Sequence, residues 1–322
     1  MAVKQTKTAV VTGGVSGIGY GLVQSLLSKS NWRVVIADIR PEAYNAISST
    51  LDPERHLFVA TNVASWDEQA ALFKKAFEWS GGRLDFFAAN AGMAESDHIT
   101  QGNFSQGWDL DGEPPKPNLT TIEVNEIAVF YGLRLFVHYA RKTNVALKAA
   151  SGSSPAPFNP KVVITASCAG IYPFPLAPAY NSSKHGVVAL TRSVGKPLLA
   201  SDNIAVNCIM PGYVDTGLIP NQVTALWPKH YITPISTMVR AYEELISEDG
   251  AVAQDGKSDG PNGVVKAGQS VECVVEKLFY RHPVPYADES QEFLIEQTFL
   301  PDGVWVRGMQ AALGAAATAA KA

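Results

Sequence analysis

The sequence predicts an α/β fold, a parallel sheet doubly wound by helices, on three observations. Short, nearly continuous apolar runs alternate with helical patterns through the first two thirds of the chain. A glycine cluster, Thr12-Gly13-Gly14-Val15-Ser16-Gly17-Ile18-Gly19, sits at the first strand-to-helix junction. An acidic residue, Asp38, ends the second apolar run.

The elements follow in order. Residues 8–12 (TAVVT) read as a strand, 20–29 as a helix, and 33–38 (RVVIAD) as the second strand. A third strand covers 57–61, followed by a helix over 66–79 whose apolar residues recur near every 3.6 positions. Residues 84–89 (LDFFAA) form the fourth strand and 122–139 a long helix. The fifth strand is 161–166 (KVVITA), then a helix over 180–199 and a sixth strand over 204–209. Strands that are apolar on both faces belong to a sheet covered on both sides, and right-handed crossovers then wind it doubly. A final strand is expected at 292–300.

We expect one domain over 1–322, with surface loops or insertions at 94–118, 143–160 and 217–268. The alanine-rich end, 311–322, reads as a short helix or a frayed tail. The helix over 122–139 is apolar nearly all round, from Ile127 to Val137. A helix on a sheet needs one apolar stripe, so a second face is buried, in a homodimer or homotetramer interface or under the insertions.

Composition excludes several classes. A hydrophobic fraction of 46% and a net charge of −4 describe a globular chain with a sizeable core. No basic run suits nucleic acid, and no stretch of about 20 apolar residues suits a membrane span. The N-terminus lacks the apolar core of a signal peptide. Cys168, Cys208 and Cys273 fit neither a zinc site nor a redox pair, which places the chain in a reducing, cytoplasmic setting. Glu95, Asp97, Asp109, Asp111 and Glu113 lack the spacing of a calcium loop, so no metal is expected. The sequons at Asn103 and Asn118 read as chance matches.

The glycine cluster lets the backbone turn tightly and approach a pyrophosphate, which the helix N-terminus then binds through its amides. Asp38 lies nineteen residues past Gly19, where a carboxylate accepts hydrogen bonds from the adenosine ribose and repels a 2′-phosphate. That favours NAD over NADP, although Arg40, two residues on, softens the discrimination; the alternative role for Asp38 is a cap at the strand end. Tyr180 and Lys184 are one helical turn apart and share a helix face. Ser167, thirteen residues upstream at the end of a strand, can reach them, and the three together can move a proton at a carbinol oxygen.

With Asn90-Ala91-Gly92, Asn125 and Pro211-Gly212-x-Val214-x-Thr216, these motifs resemble the short-chain dehydrogenase/reductase family over roughly residues 6–217. The resemblance implies a Rossmann-type fold and hydride transfer to or from NAD or, less favoured, NADP. Tyr180 would be the general acid/base, with Lys184 and a positive nicotinamide lowering the phenol pKa. Ser167 would orient the substrate oxygen, and Asn125 would link Lys184 to solvent through a water. Cofactor contacts would fall at Gly13, Ser16, Gly17, Ile18, Gly19, Asp38, Ile39, Asn62, Val63, Asn90, Ala91, Gly92, Tyr180, Lys184, Pro211, Val214 and Thr216. Asn62-Val63 stands where the family often has Asp-Val, which keeps an adenine contact through an amide. The C-terminal third lacks the family's usual glycine-rich ending and resembles the branch of 15-hydroxyprostaglandin dehydrogenase and its fungal relatives.

The segments expected around the substrate are apolar: Ile171–Leu176, then Leu218-Ile219 through Trp227, Tyr231, Ile232 and Met238, with Lys229 and Arg240 nearby. The expected partner is a hydrophobic secondary alcohol or its ketone, of polyketide, terpenoid, steroid-like or lipid character. A ketoreductase using NADPH, or an NAD-binding scaffold without activity, are the competing readings.

Overall fold

A computed structural model of the chain describes residues 6–95, 97–99, 111–151, 158–300 and 302–319. The chain forms two compact units, Met1–Arg281 and His282–Ala322.

The first unit is built on an eight-stranded sheet. Its strands are β1 (Lys7–Thr12), β2 (Trp32–Asp38), β3 (His56–Ala60), β4 (Phe86–Ala89), β5 (Lys161–Thr165), β6 (Ala205–Pro211), β7 (Ser270–Val274) and β8 (Lys277–Tyr280). Their order is β3-β2-β1-β4-β5-β6-β7-β8; all pairs are parallel except β7 with β8. The order reverses between β1 and β4, and the crevice beyond the carboxyl ends at such a reversal is where ligands bind in open α/β sheets.

Alternation along the strands divides the core in two. On β1, Val10 faces one side, and Ala9 and Val11 the other. The first side is covered by α3 (Trp66–Trp79), α5 (Ala128–Ser151) and α6 (Pro178–Asp202), which bury Phe73, Phe136 and Val187. The second is covered by α1 (Gly17–Ser28) and α8 (Ile235–Ile246), which bury Leu22, Met238 and Tyr242; α2 (Pro41–Ile47) packs at its edge through Tyr44. Each large apolar side chain buried in this way contributes about 1.5–3 kcal/mol.

The long helix enters through one turn, α4 (Thr120–Ile122), and one π turn over Glu123–Ile127 before becoming regular in α5. Val129, Leu133 and Phe136 are buried, whereas Ile127 and Phe130 are exposed.

Four expectations are corrected. Residues 143–151 continue α5 instead of forming a loop, because this stretch holds no glycine or proline. The expected loop over 217–268 carries α7 (Asn221–Leu226) and α8, whose Met238, Ala241, Tyr242 and Leu245 make a helical stripe. Met238 is therefore core, not substrate wall. The strand expected at 292–300 is helical: in the second unit α9 (Glu289–Glu292) runs into a π turn over Phe293–Gln297, and α10 (Val304–Ala319) follows. The last strands are β7 and β8 instead, joined by a two-residue turn at Val275 and Glu276. Asn103 and Asp109, with residues 96 and 100–110 of the 94–118 segment, lie outside the described residues.

Candidate active site

The loops at the carboxyl ends of β1 through β6 surround a cavity of about 870 Å³. At one end is the glycine turn. Gly13 and Gly17 have φ of +65° and +52°, a conformation that costs other residues strain. A Cβ on Gly17 would lie 2.8 Å from Thr216 Cβ, and one on Gly13 2.9 Å from Ala91 Cα, so the loops after β4 and β6 close directly on the turn. No side chain caps helix α1 at Ser16. The amides of a helix's first turn have no partners within the helix and suit a pyrophosphate.

Asp38, nearly buried at the end of β2, faces this turn: Val15 N donates to its Oδ2 at 3.4 Å. Arg40 donates to Asp38 Oδ1, and its Nη2 reaches Ser16 Oγ at 2.9 Å. Asn62 Oδ1 accepts from Ala64 N at 3.0 Å, which leaves its amide NH₂ for a ligand.

In the middle of the cavity, Asn90 ties three strands together. Its Nδ2 donates to Thr12 O and Gly13 O, and its Oδ1 accepts from Thr165 Oγ1 at 3.0 Å. Thr165 Oγ1 also meets Tyr242 Oη at 2.6 Å, and the Thr165 carbonyl accepts from Lys184 Nζ at 2.9 Å. A partly buried network thus joins the glycine turn, the lysine and helix α8.

Helix α6 carries Tyr180, Ser183 and Lys184. Lys184 Nζ lies 5.5 Å from the centre of the Tyr180 ring. Burial lowers the lysine pKa to about 8, against a smaller opposing effect of Cys208. Burial also raises the Tyr180 phenol pKa, opposed by its hydrogen bond with the Ser167 hydroxyl. Burial is the largest influence on the phenol in the protein itself. Ser167, two residues past β5, is held by Ala169 N donating to its Oγ at 3.2 Å.

Asn125 lies in the π turn, behind the cavity. Its Oδ1 accepts from Met93 N at 2.8 Å, and its Nδ2 donates to Met93 O at 3.0 Å. The side chain thus holds the strand-end loop after β4, and its Nδ2 also donates to Ser183 Oγ on α6 at 3.4 Å.

Nearly all the expected residues converge. Gly13, Ser16, Gly17, Ile18, Asp38, Ile39, Asn62, Val63, Asn90, Ala91, Gly92, Pro211, Val214 and Thr216 line the cavity together with Ser167, Tyr180 and Lys184. Gly19 does not; it packs under the turn, where a Cβ would lie 2.2 Å from Gly13 O. The walls beyond Tyr180 are Phe174, Leu176, Ala177, Leu218, Ile219 and Trp227. Arg240 is turned away toward Asp255, Lys257 and Glu276. Sequence reasoning missed Thr165 and Tyr242, which touch the site only through the fold, and Glu95, whose Oε2 accepts from Tyr180 N at 2.7 Å.

A model of the short chain dehydrogenase family matches residues 7–226. The chain belongs to the short-chain dehydrogenase/reductase family. It is similar to the fungal short-chain dehydrogenase/reductase prx6 of Penicillium rubens, at 30% identity over 288 residues and 86% of each chain. It is also similar to the NADP-dependent dehydrogenase clz5 of Cochliobolus lunatus, at 29% identity over 65% of this chain and 71% of that one. The fold matches 3-ketoacyl-(acyl-carrier-protein) reductase from Brucella melitensis, solved with NADH, with a TM-score of 0.64, 19% identity and coverage of 84% and 98%. This short-chain dehydrogenase/reductase is thus an oxidoreductase with the family's Rossmann-type sheet. Among the described residues no helix is long and apolar enough to cross a membrane.

Proposed function

We propose that the protein interconverts a hydrophobic secondary alcohol and its ketone with NAD as the hydride carrier. The observation that carries this reading is the single cavity in which the glycine turn and Asp38 are continuous with Tyr180, Lys184 and an apolar chamber.

The residues fit a dinucleotide: two glycines without room for a Cβ, uncapped amides at helix α1, and a carboxylate at the end of β2. When bound, the nicotinamide supplies the hydride acceptor or donor. The protein's part is to move the proton. Tyr180 takes it from the substrate hydroxyl or returns it to the ketone oxygen, with Ser167 hydrogen-bonding the same oxygen. Lys184, held by the Thr165 carbonyl, stabilises the phenolate. Phe174, Leu176, Leu218 and Trp227 exclude water from an apolar substrate.

Use of NADPH is the second reading, supported by Arg40 beside Ser16 and by the NADP-dependent relative. The exposed Ile127 and Phe130 support a homodimer or homotetramer through the α5 face. The test is an absorbance screen at the reduced-nicotinamide band over hydrophobic secondary alcohols, with Tyr180→Phe as the blank. Turnover that is equal in the variant, or confined to small polar sugars, refutes the proposal.

A further inference from the structure

Helix α6 carries both Tyr180 and Lys184, yet its N-terminus has no local cap. The N-cap is Ala177, which has no side-chain acceptor, and Pro178 at the first position has no N–H. The first bond within the helix is made by Asn181 N to Ala177 O, so the Tyr180 amide is one of the donors a helix leaves without a partner. Its acceptor comes from 85 residues upstream: Glu95 Oε2, at 2.7 Å. Glu95 Oε1 is shielded from solvent and meets no hydrogen-bond partner among the described residues. The fold thus keeps the Tyr180 contact although, among the described residues, the other carboxyl oxygen has no hydrogen-bond partner.

The segment bearing Glu95 is itself pinned to the other side of the site. Asn125 holds both backbone groups of Met93, and Thr121 Oγ1 donates to Ala94 O at 3.3 Å. Three residues of chain, Met93-Ala94-Glu95, therefore connect Asn125 in the π turn to the backbone of Tyr180.

We propose that Glu95 is a positioning residue: it caps helix α6 in place of a local side chain and fixes the Tyr180 phenol relative to Asn125 and the cofactor cavity. Glu95 acts through the Tyr180 amide and exchanges no proton with substrate. This rests on the reading of Tyr180 as the proton-transferring residue.

The test compares Glu95→Ala and Glu95→Gln in the full chain with NAD present. Gln keeps an oxygen for the Tyr180 amide; Ala does not. Glu95→Ala should lower kcat roughly 10- to 100-fold, the cost of small misplacements of a reacting group. The Kd for NADH, read by fluorescence, should move by less than about threefold, because the glycine turn is untouched. Glu95→Gln should recover most of kcat. Hydrogen exchange at the Tyr180 amide should quicken about tenfold or more in the Ala variant and return toward wild type in the Gln variant, with β5 amides as the internal control. The proposal is overturned by a kcat within about twofold of wild type in Glu95→Ala, by unaltered exchange at Tyr180, or by a Gln variant as impaired as Ala. Should Glu95→Ala not fold, Glu95→Asp, too short to span the contact, replaces it in the comparison with Gln. The exchange measurement needs no turnover, so it tests the capping even where Tyr180→Phe shows the assigned chemistry to be wrong.

Discussion

Arg40 folds back onto Asp38: its backbone N–H and its guanidinium Nε both donate to Asp38 Oδ1 at 3.2 Å. The carboxylate is nearly buried and the guanidinium half exposed. The negative group thus sits inside, next to the glycine turn, and the positive group is neutralised at the rim.

Cofactor choice follows from that pairing. Asp38→Ala should free Arg40 to receive a 2′-phosphate and shift the ratio of kcat/KM for NAD over NADP by roughly tenfold or more toward NADP. Arg40→Ala should not. Steady-state kinetics with both cofactors measure the ratio, and an unchanged ratio in Asp38→Ala removes Asp38 from the ribose site.

Tyr180→Phe should lower kcat by about 10²- to 10⁴-fold, the usual contribution of a positioned acid/base. Binding of NADH should persist, because the ring remains. Single-turnover absorbance and a fluorescence titration separate the two effects.

Gly17 is constrained twice, by a φ of +52° and by Thr216. Gly17→Val should abolish binding of NADH in the fluorescence titration while the protein stays folded by circular dichroism. The strain and the collision both fall on the turn and not on the core.

Lys184 gives a pH-dependent term in stability. Its pKa in the fold is about 8, against an ordinary value of 10.5, so the unfolded chain holds more protons between those values. Stability should therefore rise with pH across that window, from a penalty fully present below about pH 8. Lys184→Met lacks the titration. The wild type should gain on it by on the order of 1–3 kcal/mol between pH 8 and 10, read from urea midpoints at each pH.

Much of this was legible in the sequence because of the sheet's geometry. Parallel strands buried on both faces are written as apolar runs such as RVVIAD and KVVIT, and ligands gather at their ends, so motif order alone located most of the cavity wall. Legibility failed where the signal was short or distant. The run FLIEQTFL is equally apolar as strand or helix, and the helix won. The β7–β8 hairpin turns at Val275, a β-branched residue with φ of +52°, where no Asn-Gly or Asp-Gly announces a turn. Tyr242 joins the site only through Thr165, 77 residues away in the chain, and Glu95, on the cavity wall, meets the Tyr180 amide across 85.

The π turn at Glu123–Ile127 has a consequence for how the chain tolerates change. It sets a phase difference between two stretches of one helix: Asn125 must meet Met93, while Val129, Leu133 and Phe136 must meet the sheet. Deleting a single residue from this turn would restore a regular helix and rotate one stretch by about 100° against the other. Either the asparagine or the core would then face the wrong way. Substitutions here can be mild, but the length of the segment is fixed.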